Sequence, residues 1–456
     1  VPGIIGWKIN KNIDKGYGYL LNLPVLSEEE EMLILEAESY FREITRVKDF
    51  DSKEKLLSAL KEVLLKICET RGYVIDHKQQ EYLTRIAYLH IYGLGFFEEL
   101  LSNEDIEEIA VIGVNKPVYV FTINKGWQKV NAEITSIDYL MDLINKMASS
   151  LGRRITLQHP RLDTTLPDGS RLHASLPPIS EGELTIRKFR QKPLSVVNLI
   201  EFKTIPLQAA AFMSFFMQGD FSLIVAGNTA SGKTTLLNSI FSFVPKNERL
   251  LITEETPEIN PLHSHKLRLL ASKDMEISLM DLVYDSLRMR PDRVIVGEIR
   301  NAQEARALID VLLAGQARGA YATFHAKTAK EAISRLLSFG ISEMDINSID
   351  AIIVQRRMLI YDRNKRTVEE RRRLVELSIY NNAVINLISY NIQKDSWHIN
   401  ERALNVFYEI AANRLGMTKQ EVKEELKRRE EIIAKAPRHY NEFFNYIQEH
   451  LYGTNK

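Results

Sequence analysis

Eight consecutive residues, Gly227-Asn228-Thr229-Ala230-Ser231-Gly232-Lys233-Thr234, carry the spacing Gly-x-x-x-x-Gly-Lys-Thr. An apolar run at 221–226 precedes them, and a periodic segment at 234–243 follows. A strand, a glycine-bearing loop and a helix start make a triphosphate cradle, because successive backbone N–H groups and the positive helix end face one anion. In such a loop Lys233 reaches the β- and γ-phosphates and the Thr234 hydroxyl completes a Mg²⁺ shell, with Thr235 closing the nucleotide-contacting stretch. The expected ligands are therefore a nucleoside triphosphate and Mg²⁺.

Three further segments place acids or an imidazole after short apolar runs. Glu254-Glu255-Thr256-Pro257-Glu258 follows 250–253, Gly297-Glu298-Ile299-Arg300 follows 294–296, and His325 follows 320–324. Glu298 and Glu254 offer hard oxygens for a metal and a base for a water, and His325 can sense a γ-phosphate. Singly, each has a plainer reading as a solvated loop-end acid or a satisfied histidine. Their shared position after strands favours chemistry.

The elements that must hold these residues read as an α/β layer. Near-continuous apolar strands at 221–226, 250–253, 294–296 and 320–324 alternate with helical segments, which predicts a parallel sheet covered on both faces. Ligands of such sheets sit at the carboxyl ends of the strands. Upstream, 106–195 reads as a small α/β domain. It has strands at 109–114, 118–123, 171–176 and 185–189, a helix at 137–150, and a linker at Lys192-Pro193. Residues 1–105 read as a helical accessory domain. Ser27 and Glu30 form a capping box, a second helix starts near Asp51–Ser52, and a third spans 82–92. Residues 196–456 form the remaining domain, its last helical stretches starting near 401.

Bulk composition narrows the function. The 456 residues are enough for about three domains. Lys+Arg and Asp+Glu both number 60, so the basic excess of a nucleic-acid tracker is missing and no nucleic-acid partner is expected. Cys68 stands alone, which excludes an internal disulfide and a four-thiolate zinc site and suits a reducing compartment. No apolar stretch reaches the ~20 residues of a membrane span. No signal peptide opens the chain, although it begins at Val1 without a methionine. A cytoplasmic protein is expected, with any membrane association peripheral.

With these motifs in order, the chain resembles the traffic ATPases of type II and type IV secretion, type IV pili and archaella. The likeness runs from about Ile106 to Leu337. It rests on GNTASGKT (Walker A), LITEETPE (the acidic box), LRMRPDRVIVGEIR (Walker B) and YATFHAKTAKEAISRL (the His box). LPDGSRLHASLPPI and LTIRKF are similar to the segment from which that family takes its arginine fingers, here Arg171 and Arg187. The resemblance implies a hexameric ring ATPase with a PAS-like N-domain and a RecA-like motor, the nucleotide lying between them. It also implies a polytopic membrane platform as partner, with pilin-like or archaellin subunits served indirectly. Lys233 and Thr234 match the Walker A positions, Glu298 the catalytic glutamate, Glu254 the acidic-box glutamate and His325 the His-box histidine.

The chain also departs from the family pattern. Glu255 stands where the family usually has Asp, and Gln316 where many members have His. The lack of a four-cysteine zinc subdomain and the Arg-Met-Arg-Pro-Asp form at 288–292 look more like the archaeal pilus and archaellum branch. Arg363, Lys365, Arg366 and Arg371 to Arg373 cluster about an expected hairpin, read either as a solvated face or as a surface for anionic lipid. Other readings of the whole are a nucleic-acid translocase on a RecA-like scaffold, a conjugation-type secretion ATPase, and a scaffold that binds nucleotide without hydrolysis.

Overall fold

The computed structural model describes residues 3–10, 16–45, 52–122, 125–189, 193–272, 275–362 and 366–453. Asp51, Ile123, Lys192, Arg363 and Lys365, named above, lie outside them. The chain divides into two compact units, Val1–Arg190 and Gln191–Lys456.

In the first unit seven strands form one sheet: β1 (Trp7–Ile9), β2 (Ile106–Val111), β3 (Pro117–Thr122), β4 (Gly126–Ile134), β5 (Arg161–Thr165), β6 (Arg171–Ser175) and β7 (Glu183–Arg187). Their order is β1-β4-β3-β2-β7-β6-β5, every pair antiparallel. With the helix Ile137–Ala148, whose Leu140, Leu143, Ile144 and Met147 are buried at helical spacing, this is a PAS-like α/β layer. Helices Glu28–Thr45, Lys53–Arg71 and His77–Ile91 belong to the same unit.

Local signals explain their starts. Ser27 and Glu30 exchange side-chain and backbone hydrogen bonds at 2.8 and 3.2 Å, and Ser52 caps the second helix. The third helix begins five residues earlier than periodicity implied, because Asp76 and Gln79 form a capping box. Leu33, Phe41, Leu64 and Ile86 share one hydrophobic core with Ile109, Val120 and Ile144 of the sheet layer. The expected boundary near residue 105 therefore runs through a common core. β1, from the stretch expected to be mainly helical, joins the sheet beside β4.

The second unit holds nine strands: β8 (Leu223–Gly227), β9 (Leu250–Glu254), β10 (Lys266–Leu270), β11 (Arg293–Ile299), β12 (Gly319–Phe324), β13 (Ala351–Asp362), β14 (Thr367–Tyr380), β15 (Val384–Asn391) and β16 (Ser396–Ile399). The order is β10-β9-β11-β12-β8-β13-β14-β15-β16. The run from β10 to β13 is parallel throughout, and its β9-β11-β12-β8-β13 segment is the RecA-like arrangement. An all-parallel sheet is corrected at its far side, where β14, β15 and β16 pair antiparallel. Long hairpins with short turns permit that pairing without crossover helices.

The C-terminal helices Glu401–Leu415, Lys419–Ala434 and Tyr440–Tyr452 are built into this unit's core. Phe407 meets Phe212, Phe215 and Phe216 at ring distances of 5.1, 5.8 and 5.6 Å. The arginines of the β13–β14 hairpin are largely paired within their own sheet. Arg371 and Arg373 both bond Asp395, and Arg357 and Arg372 face Glu370. Each of these four arginines therefore faces a carboxylate.

Candidate functional site

Parallel pairing sets the carboxyl ends of β9, β11, β12 and β8 along one edge. The loop after β8 opens the helix Lys233–Ile240, with Ala230 at φ 58° and Gly232 at φ 92°. Both glycines are required. A Cβ on Gly227 would collide with the Gln355 carbonyl, and one on Gly232 would lie 2.9 Å from Gln355 Nε2. Asn228 ties the loop to β13 at two points. Its Nδ2 donates to the Arg357 carbonyl (3.1 Å), and its Oδ1 accepts from the Arg357 N–H (2.9 Å). Thr229 is exposed and Thr234 and Thr235 are half-exposed at the helix start, whereas Ser231 is buried.

Glu298 occupies a register shift between β11 and β12, where Val296 pairs Ala322 but Ile299 pairs Phe324. Such an extra residue re-aims a side chain. Gly297 beside it admits Glu254, whose Cγ would lie 3.1 Å from a Cβ there. The Glu298 carboxylate is a hub. Its Oε1 lies 3.0 Å from His325 Nε2 and 3.9 Å from Lys233 Nζ, and its Oε2 accepts from Arg300 Nε at 2.8 Å. The Arg300 guanidinium also bonds Glu255.

Lys233 is buried and donates to the Asn228 carbonyl at 3.4 Å. Burial, with Lys233 nearby, lowers the His325 pKa below its ordinary value and favours the neutral ring. Arg335 holds the His325 carbonyl and stacks on Phe324, 4.9 Å from its ring centre. The structure thus brings Lys233, Glu298 and His325 together.

Glu254 sits differently. Its Oε1 accepts from the Glu258 and Ile259 N–H groups, both at 2.9 Å, while Oε2 faces Arg268 Nε at 3.2 Å without hydrogen-bond geometry. Burial pushes its carboxyl up to about 7 against those three favourable partners. In the other unit, Arg171 and Arg187 are direct cross-strand partners on one face of β6 and β7, and Arg187 also pairs Glu108. Arg300 and Arg335 lie within the Walker B and His-box stretches without a motif role of their own, and Gln355 lies outside every motif. Gln355 could not have been found by motif, since only the β8–β13 register puts it behind the loop.

Nucleotide fits this site. Ser231 Oγ, Gln355 Oε1 and Glu254 Oε2 are buried without a hydrogen bond among the described residues, leaving capacity for a polar ligand. No cluster of three or more metal-binding side chains occurs among those residues. A cation here would have to share its shell with phosphate oxygens, as Mg²⁺ does.

The sequence model of the type II/IV secretion system protein family matches residues 94–425. An uncharacterised protein of Methanocaldococcus jannaschii is 37% identical over 247 residues, covering 51% of this chain and 34% of the relative. A putative conjugal transfer protein of Mycobacterium tuberculosis is 30% identical over 316 residues, covering 66% and 88%. The DotB ATPase structure from Legionella pneumophila is 18% identical, covers 75% of this chain and 87% of that one, and has a TM-score of 0.47. The chain spans only 34% and 62% of the lengths of two Methanocaldococcus jannaschii relatives. With the motif set on a RecA-like sheet and the family match over residues 94–425, the chain belongs to the type II/IV secretion system protein family.

Proposed function

We propose that this protein hydrolyses ATP and couples the cycle to moving protein subunits through a membrane-embedded secretion or filament-assembly machine. The observation that carries the reading is the convergence of Lys233, Glu298 and His325 beside the glycine loop. Lys233 binds the β- and γ-phosphates. Glu298 Oε1 takes the proton of a water whose oxygen bonds the γ-phosphorus. The bond to the β–γ bridging oxygen breaks, and ADP leaves with that electron pair. His325 Nε2 lies 3.0 Å from Glu298 Oε1 and reports whether the γ-phosphate is present. Glu254 holds the 254–259 loop through its backbone bonds. Mg²⁺, held by Thr234 and a strand-end carboxylate with phosphate oxygens, would neutralise phosphate charge. Arg171 and Arg187 act as fingers on the transferring group.

The assembly is a homo-hexamer on the cytoplasmic face of a membrane, engaging a polytopic platform protein. Among the described residues no helix is long and apolar enough to cross a membrane, which fits a peripheral association. Filament assembly of the archaeal pilus or archaellum type is the finer reading, supported by the motif resemblance. The test is phosphate release from Mg·ATP by the purified chain, with and without DNA. DNA-independent turnover is expected. Nucleotide binding without turnover would leave a scaffold, and strict dependence on DNA would favour a translocase.

A further inference from the structure

Glu298 has two oxygens with different neighbours. Oε1 faces Lys233 and His325, the side on which the proposed function places water and phosphate, while Oε2 is taken by Arg300. Arg300 is itself anchored twice. Its backbone N–H donates to Glu304 Oε2 at 2.7 Å, at the capped start of helix Ala302–Leu313, and its guanidinium bonds Glu255 at the end of β9. A chain of charges therefore runs from β9 through Arg300 to the carboxylate in the β11 register shift. The planar guanidinium is suited to this, since it presents donors to two carboxylates in a fixed fork.

We propose that Arg300 and Glu255 are a positioning pair: Glu255 fixes Arg300, and Arg300 clamps Glu298 Oε2 so that Oε1 alone is aimed at the reacting water. The longer acid at 255, where the acidic box usually has Asp, belongs to this device. An Asp would withdraw its carboxylate by about one C–C bond, ~1.5 Å. The pair rests on the hydrolysis reading above and adds to it the group that orients the base.

The test compares kcat, KM and nucleotide affinity for the parent, Arg300→Ala, Arg300→Lys, Glu255→Gln and the double variant Glu255→Gln/Arg300→Ala. Misaiming a base by about 1 Å costs ~10²-fold, so Arg300→Ala is expected to lose roughly that in kcat with KM within about threefold. Arg300→Lys, which keeps the charge but not the fork, should not restore the rate. Glu255→Gln should lose about tenfold, and the double variant should be no slower than Arg300→Ala, because both act through one group.

Unchanged kcat, a rise in KM alone, full rescue by lysine, or additive losses would overturn the pair. If Arg300→Ala does not fold, Glu255→Gln decides, being nearly isosteric. A parent that binds nucleotide but releases no phosphate overturns the hydrolysis reading and the pair with it. An active parent with unaffected variants overturns the pair alone.

Discussion

Arg171 and Arg187 face each other directly across β6 and β7, a placement that like charges ordinarily disfavour. The proposed function makes both of them fingers on the transferring phosphoryl group. Arginine fingers are typically worth ~10³–10⁵ in rate, against roughly 0–1 kcal/mol for an exposed ion pair. Arg171→Ala and Arg187→Ala are each expected to keep nucleotide affinity within about tenfold while losing most turnover. A folded variant with turnover within about twofold of the parent removes that arginine from the mechanism.

Glu254 makes a separate expectation. Its carboxyl ionises near 7 in the native unit against an ordinary value of 4.5. Between those values the folded chain keeps a proton that the unfolded chain has released, so this group lowers stability as pH rises through that window and no further above it. Glu254→Gln keeps an acceptor for the two backbone N–H groups and removes the ionisation. Its Tm should therefore fall less than the parent's between about pH 5 and about pH 8. Equal falls in both proteins would contradict an ionising carboxyl buried there.

At the scale of elements, the C-terminal helices are part of the motor's core. Phe407 is fully buried against three phenylalanines of helix Leu207–Gln218, so Phe407→Ala should destabilise the second unit by about 3–5 kcal/mol in chemical denaturation. A loss below about 1 kcal/mol would contradict that packing. In the sequence, the apolar stripes of these helices identify a buried face but not what buries it.

The parallel strands were legible for a related reason. β8, β9, β11 and β12 are buried on both faces and so read as unbroken apolar runs, with the reactive residues following them. β14 to β16 interleave polar and apolar residues, and β1 and β5 are short edge strands. Their pairing depends on neighbours distant in the chain. Within the site, Lys233, Glu298 and His325 carried motif signals. The Arg300 bridge and the Asn228 clasp on β13 arise from register and side-chain reach, which spacing along one chain does not encode.

At the scale of the whole molecule, a ring is the assembly in which a head-to-tail contact closes. Light scattering at micromolar concentration with Mg·ATP is expected to give a hexamer, and a monomer under those conditions would contradict the ring. In the proposed function, the Lys233–Glu298–His325 cluster hydrolyses a bound nucleotide. Measuring ATP affinity and phosphate release together in Glu298→Gln and Lys233→Ala tests it most directly. Glu298→Gln should bind ATP about as tightly as the parent and release phosphate at least ~10²-fold more slowly, while Lys233→Ala should lose binding itself. Near-parental phosphate release by Glu298→Gln would contradict the account.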